Sequence, residues 1–535
     1  MPHQPSQPQP QRRGFRISAS LTVGSLLAIL IVLLTAWLPT AGPARLLAAD
    51  PLPKPTNISC QGFERDTVLV YWTDTATDET NYRIERSVDG GDFTEVATVS
   101  PDSNGNYGPY RDTGIDVTQD LRYQVRSYRS SDDAFSPYTD EVCSNPRIAE
   151  TANYRIFYHV DGTGDACPNP HGKPDCLAND SANGENIYIT RLKQALEGAA
   201  AGMTRIGFDE SPTDQIGGLD KVPIHIGNGG GATAYLGGGG IWMRVATEDV
   251  LERSFDLETR VGVATPWTVP THEMQHLTQY QYGLPLNDPA RNWVYEGHAN
   301  LVMDKVCVGD DRDTCEDFDD NTTDPFGYVP WTNDYLGFTN RPVLEASYAA
   351  VHLWAYLSEH YGTANLDDPV ESGMNILPEF WREARSNPNR DGVAVLNSTL
   401  ANLGHSETFR DVWKDFAVAG YAKNLTGTSV PEKYQYVDMA QPGGSYNLPT
   451  RALNRNLALG EQAVDSDETV TAWGAQYYEV RPAADVPIIS IEFTQDLSVP
   501  LYYTVLGIDA DENITYEHNV VSADYTAVVA LCTFR

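Results

Sequence analysis

Two histidines and the glutamate between them are the residues of this chain best suited to chemistry. His272, Glu273 and His276 form an H-E-x-x-H pentad. Side chains four residues apart project from one face of a helix, so both imidazoles can reach the same metal ion. Glu273 lies one position round the helix, close enough to act on a water molecule bound to that metal. The pentad therefore predicts a metal-dependent hydrolytic site on a helix.

The sequence around the pentad carries the signals of such a helix and of its ends. Thr268 or Thr271 can cap the start, and Pro270 suits a first turn. Gly283 suits the end, and residues 283–289 are rich in turn formers. Among 535 residues with 11 histidines, chance alone would produce the pentad in about one or two chains in a hundred. A chance pentad on an ordinary surface helix is the alternative interpretation.

A third candidate ligand lies in the pattern Trp-x-x-Glu-Gly-x-Ala at residues 293–299. Catalytic zinc takes three protein ligands and leaves one position for water. Between His276 and Glu296 there are 19 residues, which include the turn formers. A second helix that starts near Asn292 would bring Glu296 back beside the two imidazoles.

Together these motifs resemble those of the gluzincin metallopeptidases, over roughly residues 150–425. The resemblance implies a zincin-like α+β core. It also implies that His272, His276 and Glu296 bind one catalytic Zn²⁺ and that Glu273 is the general base. The metzincin variant is excluded, because the positions after the pentad lack its glycine and histidine.

The same resemblance points to further positions. Tyr348 opens an apolar helix, and gluzincin aminopeptidases carry a tyrosine that stabilises the transition state on a comparable helix. A core or helix-start tyrosine is the alternative. Asn300 lies one turn after Glu296, where thermolysin-like enzymes place an acid that orients a histidine ligand. His298 and His352 could act in place of Tyr348, but a structural role is favoured for both.

The implied reaction is hydrolysis of a peptide bond. Zinc lowers the pKa of its bound water toward neutrality, and Glu273 takes a proton from that water as it attacks the carbonyl. A peptide substrate is expected to add to an exposed strand upstream of the pentad. Residues 222–226 and 237–245 are the candidate strands, and the glycines at 237–240 either permit a close approach of the substrate backbone or form a flexible loop.

The N-terminal segment has the pattern of an export signal. Arg12, Arg13 and Arg16 precede an almost wholly apolar stretch at residues 21–38, and a small-residue site follows at residues 46–50. Because the apolar stretch is long enough to span a bilayer, an uncleaved membrane anchor is the alternative. In both cases the bulk of the chain is expected outside the cytoplasm.

The seven cysteines fit an exported protein. No C-x-x-C motif occurs, so local pairs favour disulfides over a metal cluster. Cys532 is left over. The predicted pairs are Cys60–Cys143, Cys167–Cys176 and Cys307–Cys315.

The chain is strongly acidic, with a net charge of −36 and a pI near 4.5. This charge argues against nucleic acid or an anionic membrane as a partner. The acidic run at residues 310–320 could bind Ca²⁺ through its oxygens. It lacks the glycine and spacing of an EF-hand, so a solvated acidic loop is favoured.

The segments on either side of the peptidase region alternate with a period of two, as strands do. Residues 52–147 resemble the fibronectin type III pattern, with Trp72 on an early strand and Tyr123 as its tyrosine corner. The chain from residue 431 is also strand-like and predicts a β-sandwich. Attachment to substrate or to a surface is one role for it, but it carries no motif and its role is open. The predicted parts are a signal peptide or anchor (1–49), a fibronectin type III-like domain (52–147), a zinc metallopeptidase domain (148–430, with a mixed-sheet lobe at 148–265, active-site helices at 266–306 and a helical lobe at 340–425) and a C-terminal β-sandwich (431–535).

The sequence therefore predicts a multidomain, secreted zinc endopeptidase that acts on a protein or peptide. The assignment as an endopeptidase rests on the lack of an acidic anchor motif for a substrate amino terminus and on the flanking β-modules. Two other classes stay open. One is a non-catalytic adhesin or binding protein with a peptidase-like fold, and the other is a zinc amidase or esterase acting on non-peptide substrates.

Overall fold

The buried side chains form two separate hydrophobic clusters, and the protein is a multidomain mixture of β-sheets and helices. The computed structural model describes residues 50–101, 109–160, 176–177, 187–209, 220–227, 232–237, 240–246, 255–256, 261–262, 268–283, 286, 291–309, 329–364, 371–436, 447–461, 471–484, 486, 488–494, 501–522 and 526–532.

The first eight strands form two sheets that enclose the smaller cluster. They are β1 (Thr56–Glu64), β2 (Thr67–Thr73), β3 (Asn81–Val88), β4 (Thr94–Val99), β5 (Tyr110–Thr113), β6 (Leu121–Arg129), β7 (Ala134–Phe135) and β8 (Cys143–Ser144). One sheet has the order β1-β2-β5, and the other has the order β4-β3-β6-β7 with β8 paired to β6. Every second residue of β6 is buried, because side chains alternate between the faces of a strand. The segment is a β-sandwich, as its alternating pattern predicted.

Trp72 and Tyr123 are both buried in the sandwich core. The Tyr123 hydroxyl donates a hydrogen bond to Oδ2 of Asp112, at 2.9 Å. A tyrosine corner would instead bond the backbone a few residues upstream, so this part of the fibronectin type III prediction was wrong in detail. Asp112 also accepts from Arg86 at 2.6 Å, which pairs its buried charge.

A disulfide joins Cys60 on β1 to Cys143 on β8, as predicted. It closes a loop of sequence separation 83 between the two sheets. The partners of the other two predicted pairs, and Cys532, have side chains outside the described residues.

Replacing both Cys60 and Cys143 with serine is expected to cost the sandwich about 2–5 kcal/mol, because the disulfide restricts the unfolded chain. Hydrogen–deuterium exchange of amides in β1 and β6, measured across a denaturant series, reports this loss for the sandwich alone. Unchanged exchange in β1 and β6 of the double variant would contradict the expectation.

A six-stranded sheet follows the sandwich in the chain. Its strands are β9 (Arg147–Glu150), β10 (Tyr154–Val160), β11 (Cys176–Leu177), β12 (Val222–Ile226), β13 (Ala232–Gly237) and β14 (Gly240–Val245). The order is β11-β10-β12-β14-β13, with β9 antiparallel to β10. Strands β10, β12 and β14 run parallel, whereas β13 is an antiparallel edge strand. The sheet is mixed, as predicted, but β13 was missed by sequence reasoning. Two short strands follow, β15 (Phe255–Asp256) and β16 (Val261–Gly262).

Helices pack on this sheet and on one another around the larger cluster, which includes the fully buried Trp293, Trp354 and Trp381. Gly283, at a φ of +82°, follows the pentad helix, as expected of a glycine that ends a helix. The helices are α1 (Ile187–Arg205), α2 (Thr268–Gln281), α3 (Asn292–Gly309), α4 (Val329–Gly337), α5 (Val351–Tyr361), α6 (Ile376–Ser386), α7 (Gly392–Asn402) and α8 (Phe409–Ala422), with 3-10 helices at Val343–Glu345, Ser347–Ala350 and Glu432–Tyr434.

The C-terminal part is built of strands, near the positions predicted. They are β17 (Arg451–Leu457), β18 (Tyr477–Pro482), β19 (Ile488–Thr494), β20 (Leu501–Ile508), β21 (Ile514–Ser522) and β22 (Thr526–Cys532). They pair as β17-β18, β19-β22 and β20-β21. A closed sandwich stays a prediction.

Among the residues that the structure describes, no helix is both long and apolar enough to cross a bilayer. The predicted signal or membrane anchor at residues 1–49 lies outside that part of the chain.

Candidate metal centre

The side chains of His272, His276 and Glu296 converge on one point. Both histidines lie on α2, one turn apart, and α3 runs beside α2 and contributes Glu296. The two imidazole Nε2 atoms are 3.2 Å apart. Oε2 of Glu296 lies 3.3 Å from Nε2 of His272 and 3.4 Å from Nε2 of His276. The structure thus brings together the three residues that were predicted as metal ligands.

The dimensions of this triangle fit a tetrahedral metal ion. Zinc–nitrogen and zinc–oxygen bonds of about 2.0–2.1 Å place the ligand atoms of a tetrahedron about 3.3 Å apart. The three measured edges are 3.2, 3.3 and 3.4 Å. Oε2 of Glu296 is buried, and no hydrogen bond of standard geometry reaches it. A buried carboxylate oxygen without such a partner is costly, and a cation at the centre of the triangle would satisfy it.

The electrostatics of the centre favour a cation. Burial alone would raise the pKa of the Glu296 carboxyl, but the two imidazoles hold that pKa well below its usual range. Burial alone would lower the pKa of His276, but the nearby carboxylates of Glu296 and Glu273 raise it. Glu296 therefore stays ionised beside the two imidazoles, and its negative charge makes His276 bind a proton more readily.

Glu273 points from α2 toward the edge strand β13. Its Oε2 accepts a hydrogen bond from the backbone N–H of Ala234, at 2.6 Å. The Tyr280 hydroxyl, also on α2, lies 3.4 Å from the carbonyl oxygen of Ala234. These two contacts join the pentad helix to strand β13 at Ala234, beside the predicted base Glu273.

Gln279 contacts one of the predicted ligands, a role that sequence reasoning did not assign. Its Nε2 donates to the carbonyl of Tyr295 at 3.0 Å, so Oε1 is the atom that faces Nδ1 of His276 at 2.8 Å. Nδ1 of His276 must then carry the proton, which leaves the lone pair of Nε2 for a metal. Gln279 is three residues from His276 on the same helix, and this spacing was the available signal.

Asn300, predicted as a possible orienting group for a histidine, does something else. Its Nδ2 donates to the backbone carbonyl of Tyr348 at 3.2 Å. It therefore holds the segment that carries Tyr348, and Gln279 is the residue that contacts a ligand.

Replacing Gln279 with leucine is expected to weaken zinc binding by about 10- to 100-fold, because His276 would lose its orienting acceptor. Competition with a chelating indicator measures the affinity directly. Gln279→Glu, which keeps an acceptor oxygen, should retain tight binding. Equal affinity in the leucine variant and the wild type would show that Gln279 does not orient the ligand.

Tyr348 lies beside the metal centre. It belongs to the 3-10 helix Ser347–Ala350, immediately before α5. Its ring stacks on His272 with centroids 5.8 Å apart and on Trp331 with centroids 5.0 Å apart. Tyr348 is 39% exposed, and its hydroxyl lies within the electrostatic influence of the Glu296 carboxylate. Partial burial and the carboxylates of Glu296 and Glu273 raise the pKa of Tyr348 to about 12, so the hydroxyl keeps its proton at neutral pH.

His298 and His352 are core residues. His298 is fully buried, and its Nδ1 accepts a hydrogen bond from Trp381 at 2.9 Å. His352 stacks on Tyr436, whose hydroxyl lies 3.2 Å from its Nε2. Burial holds the pKa of both imidazoles well below the usual range. The structural role favoured from sequence agrees with these surroundings.

The predicted substrate strands are partly in place. The first is β12, with the predicted bounds, whereas the predicted 237–245 strand starts at Gly240 as β14. The edge strand nearest the pentad is β13. The possible Ca²⁺ run at residues 310–320 lies outside the described part of the chain.

Comparisons with protein-family models and with curated proteins gave no match. Among solved structures, a fibronectin type III domain of the human collagen alpha-1(XX) chain matches weakly, at 14% identity over 18% of this chain and 86% of that one, with a TM-score of 0.15. A crystal structure of a fibronectin type III domain of human collagen XX matches at 17% identity over 20% of this chain and 99% of that one, also with a TM-score of 0.15. A beta-1,2-glucanase from Parabacteroides distasonis matches at 12% identity over 71% of this chain and 36% of that one, with a TM-score of 0.16. At these scores the matches identify no family.

Proposed function

We propose that this chain is a secreted zinc-dependent endopeptidase of gluzincin type. The observation that carries the proposal is the 3.2–3.4 Å triangle of His272, His276 and Glu296, with Glu273 one position round the same helix. A metal-sized triangle of two imidazoles and a carboxylate, with a further carboxylate beside it, is the arrangement of a catalytic zinc site.

The residues have distinct roles in the proposed reaction. When bound, zinc would polarise the scissile carbonyl and lower the pKa of a water molecule toward neutrality. Glu273 takes a proton from the attacking water and later returns it to the leaving amine. The N–H of Ala234 holds one oxygen of Glu273, which fixes the carboxylate while its other oxygen handles the proton.

Tyr348 supplies a hydrogen-bond donor for the developing oxyanion. Its hydroxyl stays protonated, and its ring is held between His272 and Trp331. Replacing Tyr348 with phenylalanine should lower kcat by about 10²–10³-fold with little change in KM, as for loss of one oxyanion donor. Steady-state kinetics on a quenched peptide measure the split. An unchanged kcat would show that Tyr348 has only a structural role.

A peptide substrate would extend the sheet at β13. As the edge strand next to α2, β13 would offer the outward backbone groups on either side of Ala234, whose own N–H and carbonyl already contact Glu273 and Tyr280. Its Leu236 is 49% exposed. Such pairing would place a substrate carbonyl beside the pentad helix. Protein or peptide is therefore the proposed partner class, with a membrane involved only through an uncleaved N-terminal anchor.

The remaining parts of the proposal concern organisation and compartment. We assign a zincin-like α+β core to residues 148–430, between a fibronectin type III-like domain at 52–147 and a C-terminal β-sandwich at 431–535. The Cys60–Cys143 disulfide supports an oxidising, extracytoplasmic location. One catalytic zinc is the proposed cofactor, and a Ca²⁺ ion at residues 310–320 stays a weaker prediction.

Cleavage of blocked substrates tests the function. The purified protein is incubated with casein and with a peptide blocked at both ends, with and without a chelator. Chelator-sensitive internal cleavage of both substrates is expected. Release of single residues from free amino termini only would make the protein an aminopeptidase. Hydrolysis of esters or small amides without peptide cleavage, or no hydrolysis at all, would overturn the peptidase proposal.

A further inference from the structure

Two short segments of the C-terminal part contact the chain that precedes Tyr348. They comprise residues 447–450 and residues 471–475, and together they are termed the C-terminal brace. The brace contacts the chain between α4 and the 3-10 helix that carries Tyr348. Its contacts are directional hydrogen bonds, most of them to backbone carbonyls, so the brace restrains the position of the chain it contacts.

The first segment of the brace holds the end of α4. The backbone N–H of Thr450 donates to the carbonyl of Leu336 at 2.8 Å, and its hydroxyl donates to the carbonyl of Gly337 at 2.9 Å. The N–H of Asn447 donates to Oδ1 of Asn333 at 2.7 Å. Carbonyls at a helix C-terminus lack intrahelical partners, and the brace satisfies two of them on α4.

The second segment holds the turn that follows α4. The N–H of Ala475 donates to the carbonyl of Thr339 at 2.7 Å, and the Thr471 hydroxyl donates to that of Asn340, also at 2.7 Å. In the opposite direction, the N–H of Val343 donates to the carbonyl of Trp473 at 2.9 Å. The turn and the brace therefore bond each other in both directions, as adjacent strands do.

Trp473 and Gly474 make this contact tight. Trp473 has a φ of +63°, an unfavourable conformation for a residue with a side chain. Its ring packs on Phe409 and Trp413 of α8, with centroids 4.8 and 6.0 Å away. A Cβ atom added at Gly474 would lie 2.5 Å from the carbonyl oxygen of Asn340, so only glycine permits this approach.

Helix α4 and the turn after it, both contacted by the brace, are linked to Tyr348. Helix α4 carries Trp331, whose ring stacks on Tyr348. The braced turn leads through Val343–Glu345 to Ser347, which has a φ of +50°. Such a strained residue costs about 1–3 kcal/mol and persists only where its surroundings hold it. Two hydrogen bonds supply that restraint. Before Ser347, Val343 bonds the brace, and after it, Asn300 bonds the carbonyl of Tyr348.

We infer that the C-terminal brace positions Tyr348 for catalysis, an inference that rests on the proposed function. The C-terminal part is then a working part of the catalytic site, and not only an attachment module. The brace residues are positioning residues, since they act through the turn and through Trp331 and touch no reacting group.

Two variants of the brace test this with kinetics. Gly474→Ala forces the brace away from Asn340, and Thr471→Val removes one hydrogen-bond donor with little change of shape. Each should lower kcat, by up to about 100-fold for Gly474→Ala, with KM and zinc content unchanged. Thr471→Ser keeps the hydroxyl donor and should have the wild-type kcat. Gly337→Ala is the control, because a Cβ atom there meets nothing within 4 Å.

A double-mutant cycle with Tyr348→Phe identifies the route. If the brace acts through Tyr348, Gly474→Ala should have almost no further effect on kcat when Tyr348 is already replaced. An equal loss of kcat in both backgrounds would overturn the inference. So would an unchanged kcat in both brace variants when Tyr348→Phe itself lowers kcat.

Hydrogen–deuterium exchange of the intact protein tests the brace independently of catalytic activity. Gly474→Ala should speed exchange of amides in residues 343–350 relative to wild type and to Gly337→Ala. If the wild type has no peptidase activity, the proposed function fails. Faster exchange at residues 343–350 in Gly474→Ala would still support the structural role of the brace. Unchanged exchange at residues 343–350 would overturn it whatever the activity.

Discussion

Replacing His276 with alanine should abolish both zinc binding and cleavage. Zinc content is expected to fall from about one ion per chain to near zero, because two of three protein ligands cannot hold the ion tightly. Without the zinc, the carboxylate of Glu296 would be a buried charge without its cation, so the variant should also be less stable. Elemental analysis after gel filtration measures the zinc, and casein cleavage measures the activity.

The control for this variant is His518→Ala. His518 lies on β21, and its imidazole stacks on Tyr516 away from the metal centre, so it should keep zinc and activity. Glu296→Gln provides an independent test of the third ligand and should lose zinc in the same way. Stoichiometric zinc in both His276→Ala and Glu296→Gln would show that the ion, if any, is bound elsewhere.

Replacing Glu273 with glutamine should stop catalysis and leave the metal in place. Glutamine has nearly the same shape as glutamate but cannot accept a proton, so kcat should fall by about 10²–10⁴-fold. Zinc content should be unchanged, since Glu273 is not part of the ligand triangle. The amide oxygen of glutamine can still accept from Ala234, which keeps the helix tied to β13.

Glu345→Gln is the matched control for the Glu273 variant. It makes the same chemical change at an exposed residue of the neighbouring 3-10 helix, and its kcat should equal that of wild type. If Glu273→Gln cleaves casein at the wild-type rate, Glu273 is not the base. If it loses zinc together with activity, its role would be structural.

The ligand triangle was predictable because it is set mainly by local geometry. The spacing of His272 and His276 fixes two ligands on one helix face without any knowledge of the fold. Glu296 needed one further step, a second helix that returns beside the first, and the turn formers between them supplied it. The strands of the N-terminal sandwich were predictable for a similar reason, since the period of two is a local property.

The residues that support the site were harder to predict because they depend on tertiary contacts. Ala234 contributes only its backbone N–H and carbonyl, and backbone groups cannot be recognised from the residue types. Strand β13, residues Ala232–Gly237, is short and glycine-flanked, so its pattern did not stand out from a loop. The role of Asn300 was assigned to the wrong partner, because its neighbour in space is Tyr348, 48 residues away.

The C-terminal brace shows the same limit over a greater distance. Asn340 and Thr471 are separated by 131 residues, and no periodicity relates them. Sequence reasoning placed the strands after residue 431 in a separate module. The hydrogen bonds from residues 447–450 and 471–475 connect that part of the chain to the segment that leads to Tyr348.

The central claim is that one zinc ion, bound at the triangle, makes this chain a peptidase. The most direct measurement determines zinc content and casein cleavage on the same purified sample, before chelation, after chelation and after zinc is restored. The account predicts about one zinc per chain, cleavage that disappears with the zinc, and recovery of both together. A sample that binds no zinc even after reloading, or that holds zinc and cleaves nothing, would contradict it.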